Sequence, residues 1–307
     1  MRIKTYFFTL ALCLLLTVVG AAQKTSSRAI TVVTEPNASV WLNDVLRGKT
    51  DESGNLVIKP IAAGAHKLRV RADGFKEVSQ NLLAAQKGEV KIALVKTTDS
   101  AELAFQEAEN LTNVDRDKAV AAYRKAIAAR PRYAEAQLGL ARVLLAMNNV
   151  EGALAAIKEA RKARPAYAEA SAVEGRIYVA EGNVEKAIAA FKRAITEGRG
   201  FQPEAQTGLG LLYKEKAEGL GGDGDVSSEE ENYTLAIGYF RKAIAQLSGA
   251  PDAITLYQFL GLAYEKMQKY NEAIAVYEEF LRIFPDTSEA TAVQSFIVQL
   301  RKQMSEQ

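Results

Sequence analysis

Very few residues in this chain could do covalent or metal chemistry. His66 is the only histidine and Cys13 the only cysteine. A catalytic imidazole, a thiolate nucleophile or a zinc site needs companions within reach, and neither residue has a second of its kind. His66 falls in His66-Lys67-Leu68-Arg69-Val70-Arg71, where polar and apolar residues alternate, so it reads as a surface residue of a strand. Trp41, the only tryptophan, sits between Val40 and Leu42 and reads as core, with stacking on a ligand as the alternative. Neither Gly-x-Ser-x-Gly nor His-Glu-x-x-His occurs. Two opposed carboxylates could hydrolyse a glycoside, but the Asp and Glu residues here fall at helix-surface spacing. The alternation Asp223, Asp225, Ser227 suggests a calcium loop, yet Ser228 stands where the loop needs glycine and Thr234 where it needs Glu. The expectation is a non-enzymatic protein with no cofactor and no metal.

What remains is binding. Arg142 and Arg176 are 34 positions apart, and so are Pro131 and Pro165, Asn149 and Asn183, and Ala119, Ala153 and Ala187. A period of 34 with helix-forming composition means stacked helical hairpins. Such an array buries its apolar faces only by stacking and exposes a long curved surface.

The 307 residues allow two folded units and a leader. Residues 1–22 read as a secretory signal peptide: Arg2 and Lys4 lead, an uncharged Leu/Phe-rich run follows, and Val19-Gly20-Ala21-Ala22 offers small residues for cleavage. The alternative is an uncleaved anchor over residues 5–23. Leu12 before Cys13, with leucines after it, argues against lipidation. The net charge of +2 resides in Arg2 and Lys4, so the remainder is neutral and gives no reason to expect nucleic-acid binding. Export without cysteine, joined to a helical repeat, points to a bacterial periplasm.

Residues 28–97 change period to two. Short strand-like runs at Ile30–Val33, Ala38–Leu42, Asn55–Ile58, His66–Arg71 and Val90–Val95 are separated by Gly, Asp and Asn clusters, which predicts a small antiparallel β-sandwich. The order Glu35-Pro36-Asn37-Ala38-Ser39-Val40, Gly48-Lys49-Thr50, Gly64-Ala65-His66 and Gly74-Phe75 resembles a PEGA domain, and Thr50–Gly54 is similar to carboxypeptidase regulatory-like sandwiches. Asn37 replaces the usual glycine of that family, and the glycine expected after Asn43-Asp44 is missing. Both resemblances imply a non-catalytic domain of exported envelope proteins.

Residues 101–286 resemble about five tetratricopeptide repeats. The last carries Tyr257, Leu260-Gly261, Tyr264, Ala273, Tyr277 and Pro285, with Phe280 for the usual Ala; an earlier one carries Gly175, Tyr178, Ala187, Phe191 and Ala194, with Glu174 for the usual Leu. The fourth is interrupted by an insertion read as a loop over 214–232, with Ser227 or Ser228 capping the following helix; residues 287–307 read as a capping helix. The whole is a multidomain chain, a small β-sandwich followed by an all-α superhelix (α-solenoid). The resemblance implies that positions 2, 5, 9 and 12 of each first helix line a concave groove. The candidate partner-binding residues are Glu135, Leu138, Arg142, Leu145, Glu169, Arg176, Val179, Leu211, Gln258 and Leu262, with Glu204, Thr207, Lys214, Thr255 and Glu265 at equivalent positions. The two arginines could hold a partner's carboxylate, or pair with Glu135 and Glu169 or neighbouring acids and only solubilise the face. The expected role is an exported interaction scaffold holding a protein or peptide of the envelope. The alternative is an accessory cell-wall or polysaccharide-binding subunit acting through the sandwich. Membrane contact is expected only through residues 5–23.

Overall fold

A computed structural model describes residues 28–221 and 225–306. The leader, the alternative anchor, Cys13 and Asp223 lie outside these residues. Seven strands come first: β1 (Arg28–Val33), β2 (Ser39–Leu42), β3 (Val45–Lys49), β4 (Asn55–Ile61), β5 (His66–Arg71), β6 (Val78–Leu82) and β7 (Gly88–Lys91). They form two sheets, β4-β1-β7 and β3-β2-β5-β6, with Ile30, Val32, Val40, Leu68, Val70 and Leu82 in the core. The sandwich departs from the fully antiparallel form expected, since β1 and β7 pair in parallel. Alternation along β2 also overturns the reading of Trp41. Val40 and Leu42 point inward and are buried, so Trp41 must point out. Its ring is covered by the Arg69 guanidinium, 4.2 Å from the centroid. Asn37, Asn43 and Asp44 hold positive φ of 56°, 52° and 62°. Asn and Asp are the side chains that tolerate this region, so the tight turns survive without the expected glycines.

Eleven helices follow among the described residues: α1 (Ser100–Leu111), α2 (Arg116–Ala129), α3 (Ala134–Ala146), α4 (Val150–Ala163), α5 (Ala168–Ala180), α6 (Val184–Glu197), α7 (Pro203–Gly221), α8 (Val226–Leu247), α9 (Ala253–Lys266), α10 (Tyr270–Ile283) and α11 (Ala290–Ser305). They pack as consecutive antiparallel pairs. The echo of Asn149 and Asn183 has a local cause: each is an N-cap, accepting from the backbone N–H of Gly152 and of Lys186. Pro131, Pro165 and Pro285 follow the ends of α2, α4 and α10, where a ring without N–H stops the ladder. No described helix is long and apolar enough to cross a membrane.

The expected loop over 214–232 is corrected. Its described parts are helical, α7 running 19 residues and α8 22. Straight-chain and acidic residues (Lys214, Glu215, Lys216, Glu218, then Glu229, Glu230, Glu231) favour helix more than the nearby glycines oppose it. The cap of α8 is Asp225, whose carboxylate accepts from Ser228 N–H at 3.1 Å, rather than Ser227 or Ser228.

Close crossing of helices rests on glycine against aromatic rings. A Cβ added at Gly175 would lie 2.6 Å from the Phe191 ring, and one at Gly208, in the next repeat, 2.3 Å from it. Phe191 is therefore wedged between two glycines and is fully buried. The same contact joins Gly139 to Tyr123, Gly210 to Phe240 and Gly261 to Tyr277. The end of the stack is covered by α11 through Ala290, Val293, Ile297 and Leu300.

Two substitutions separate this packing from simple helix propensity. Gly208→Ala is expected to destabilise the chain by about 1–3 kcal/mol, because the Phe191 ring has nowhere to go. Gly238→Ala, on the exposed side of α8 with nothing within 4 Å, is expected to stabilise by about 0.5–1 kcal/mol. Urea denaturation of the two variants reads both signs, and equal signs would refute the wedge.

Candidate functional site

In the first helices α3, α5, α7 and α9, positions 9 and 12 lie open or half-buried on the face expected to be the inner one, whereas position 5 is buried in α3 and α5. Arg142, Arg176, Val179, Leu211 and Leu262 are exposed there; Glu135, Leu145, Glu169 and Gln258 are partly buried. Leu138 is not part of this surface. It is only 6% exposed and belongs to the apolar core, because α5 packs over that part of α3. Leu145, Val179, Leu211 and Leu212 line a cavity of ≈ 410 Å³ whose polar members are Arg176 and Glu215.

The arginines do not pair with Glu135 and Glu169. Arg142 Nη2 and Arg176 Nη1 both donate to Glu204, at 2.8 and 3.2 Å. Glu135 is taken instead by Arg164. One carboxylate from α7 thus joins three consecutive first helices, and two cations share a single anion. Glu204 raises the Arg142 guanidinium above its ordinary value. Sequence reading put Glu204 on the inner face but assigned it no role; only the superhelical pitch brings position 2 of one repeat beneath position 9 of the two before it.

The first repeat differs. Its inward positions 5 and 9 are Phe105 and Glu109, and the β-sandwich sits on them. Arg71 Nη1 donates to Glu109 at 3.1 Å, and its guanidinium lies 4.7 Å from the Phe105 centroid and 5.3 Å from that of Trp41. Burial opposes the charge on Arg71, but Glu77 and Glu109 together raise its pKa. The open groove therefore begins at α3. The signal for this was present, since Glu109 occupies position 9, but strands and repeats were read separately.

Outside the groove, Glu174 is accounted for. It accepts from Arg193, while Arg161 and Arg193 both donate to the buried Ser171 hydroxyl, which donates to Glu197 at 2.6 Å. A polar seam replaces the usual apolar contact there. His66 is a strand-end residue, with Nδ1 beside Asn43 Nδ2 at 2.8 Å and Nε2 at 3.0 Å from Ala62 O. Both ring nitrogens are occupied by the sandwich itself.

Four phenols hold acids of the array. Tyr123, Tyr133, Tyr257 and Tyr277 donate to Glu109, Glu102, Glu279 and Glu265 at 2.8, 2.8, 2.9 and 2.6 Å. Burial first, then the facing carboxylate, pushes each phenol above its ordinary 10.0. The unfolded phenols ionise near 10.0 while the folded ones keep their protons. Their stabilisation is thus complete below that pH and drains as pH rises through the folded values. The thermal midpoint is expected to fall steadily above pH 10.0, and a midpoint constant well beyond it would sink this account. Glu204→Gln should change stability by less than about 1 kcal/mol, since the two arginines are half exposed and such pairs contribute little. A loss of several kcal/mol on chemical denaturation would instead make Glu204 a structural keystone.

Two family models described as tetratricopeptide repeat match the chain, one over residues 111–168 and 138–201, the other over 254–287. No curated protein matches it. Among solved structures, yeast Tom70 is similar at 16% identity and a TM-score of 0.54, over 68% of this chain and 41% of that one. The Cut9–Hcn1 hetero-tetramer of the APC/C is similar at 16% identity and 0.51, over 67% and 37%. The MamA protein matches at 23% identity and 0.44, over 63% and 96%. The chain thus spans less than half the length of the Tom70 and Cut9–Hcn1 chains, and these likenesses concern the fold alone. A small N-terminal β-sheet domain is thus followed by a helical repeat region that contains tetratricopeptide repeats over residues 111–201 and 254–287 and is consistent with a tetratricopeptide solenoid.

Proposed function

We propose that this chain is an exported, non-enzymatic interaction scaffold of a bacterial cell envelope, holding a protein or peptide segment in the groove lined by α3, α5, α7 and α9. Tetratricopeptide arrays typically bind proteins or peptides, which supports the scaffold role. The observation that carries the site is the unpartnered apolar row Val179, Leu211 and Leu262, 40, 38 and 37% exposed, beside two arginines that share one carboxylate. Apolar side chains left open in a concavity, next to incompletely compensated charge, are what a partner would cover. Export rests on the composition of residues 1–22, and the envelope role on that leader together with the PEGA-like order of the sandwich motifs.

The reading as a cell-wall or polysaccharide-binding subunit needs an aromatic ring free to stack on sugar. Arg69 lies over Trp41, and Phe75 packs against the sandwich core. The groove is therefore preferred.

Affinity capture with cross-linking from envelope extract tests this, using residues 28–307 and the double variant Arg142→Glu/Arg176→Glu. Reversing both charges is expected to weaken capture at least about tenfold. A partner held equally by both chains would move binding off the groove, and no saturable partner in such an extract would count against the envelope scaffold.

A further inference from the structure

The β-sandwich touches the array at two places far apart in sequence. The first is α1. Besides the Arg71–Glu109 pair, Gln106, 3% exposed, accepts from Gly74 N–H at 2.8 Å and donates to Phe75 O at 2.8 Å. Asn110 donates to Asp73 at 2.9 Å. The second is the turn between α8 and α9. Arg47, from β3, donates to Leu247 O at 2.7 Å, to Ser248 O at 2.8 Å and to Pro60 O of its own domain at 3.0 Å. Leu247 and Ser248 end α8, where unpaired carbonyls and the helix dipole favour a cation. Burial with no carboxylate at hand lowers the Arg47 guanidinium to about 10, so it stays charged at neutral pH and the carbonyls compensate it. Val45 is buried in the apolar cluster that contains Leu247 and Ala250. Gly249 approaches Pro60 so closely that an added Cβ would lie 2.7 Å from the ring.

In a free solenoid each repeat touches only its neighbours, so small flexures at successive interfaces add up. Here one rigid domain is tied to the first helix and to the junction of the fourth and fifth pairs. The helices α3, α5 and α7, which line the open groove, lie between the two ties. We infer that the β-sandwich is a strut: it bridges the array across its groove and fixes the curvature, so that the groove is preformed and does not close around its occupant. The inference rests on the groove reading above for its purpose, but its geometry holds whether or not a partner binds there. A preformed groove saves the ordering cost that a flexible array would meet on binding.

The test needs no partner. In the full chain with Cys13→Ser, spin labels at Arg124→Cys on α2 and Glu272→Cys on α10 report the span of the array by pulsed electron resonance. The tied chain is expected to give one narrow distance distribution. Arg47→Ala should broaden it at least about twofold, as the freed interfaces each add their flexure. Val45→Ser, which removes the sandwich's apolar contact with the same turn and leaves the helical sequence intact, should broaden it likewise, with circular dichroism confirming retained helix. Equal narrow distributions in all three chains would show that the array is stiff without the strut and overturn the inference. A broad distribution in the unaltered chain would overturn it equally. Failure of partner capture in the groove experiment would leave these distances unchanged, so the two readings fail separately.

Discussion

Everything in the helical array depends on aromatic rings set against helices that have no side chain at the point of crossing. Phe191 is the clearest instance, because it meets glycine in its own repeat and in the next. The ring fixes the distance within a hairpin and the step to the following one. That step, repeated, is the superhelix. It sets which residues of successive first helices fall on the inside and how far apart they stand. The sharing of Glu204 by Arg142 and Arg176 is a consequence of this pitch, as is the burial of Leu138 under α5.

Electrostatics then fill in what packing leaves. Several acids of the array are held by phenols or guanidinium groups, and two cations of the sandwich, Arg28 and Arg47, are held by carbonyls. Arg28, 6% exposed, donates to the carbonyls of Leu83, Ala84, Gln86 and Gly64 and so ties the start of β1 to two connecting turns. Arg47 does the same across the domain boundary. A guanidinium suits this work, since it offers five donors in a fixed fork and resists deprotonation. In the groove, by contrast, two arginines share one carboxylate.

Much of this was legible in the sequence. The 34-residue period predicted the hairpins, and the caps at Asn149 and Asn183 explain why asparagine belongs to that period. Gly175 and Gly261, both among the repeat residues, marked two of the crossings, whereas Gly139 and Gly208 fall outside that pattern. The errors share a cause, which is that local pattern was read without its neighbours. Trp41 looked like core because it lies between apolar residues, but those very residues occupy the inward places of its strand. The 214–232 stretch looked like a loop because of its glycines, while the acidic and basic residues flanking them carry helix through α7 and into α8. The pairing of Arg142 with Glu204, 62 residues on, and the seat of Arg71 on α1 are tertiary facts with no local signature.

The row at position 9 runs Glu109, Arg142, Arg176, Leu211, Leu262 along the array. A backbone that repeats itself exactly in kind offers an occupant several equivalent seats, each one hairpin along. Here two of the steps replace acid by base (Glu109 to Arg142) and base by leucine (Arg176 to Leu211), and the seat at Glu109 is filled by the chain's own Arg71. Sliding by one hairpin therefore changes the sign or the polarity of the contacts at the two ends of the arginine pair. A row that is not uniform along the array distinguishes one alignment of an extended occupant from another, so order along such a segment would count as well as its composition.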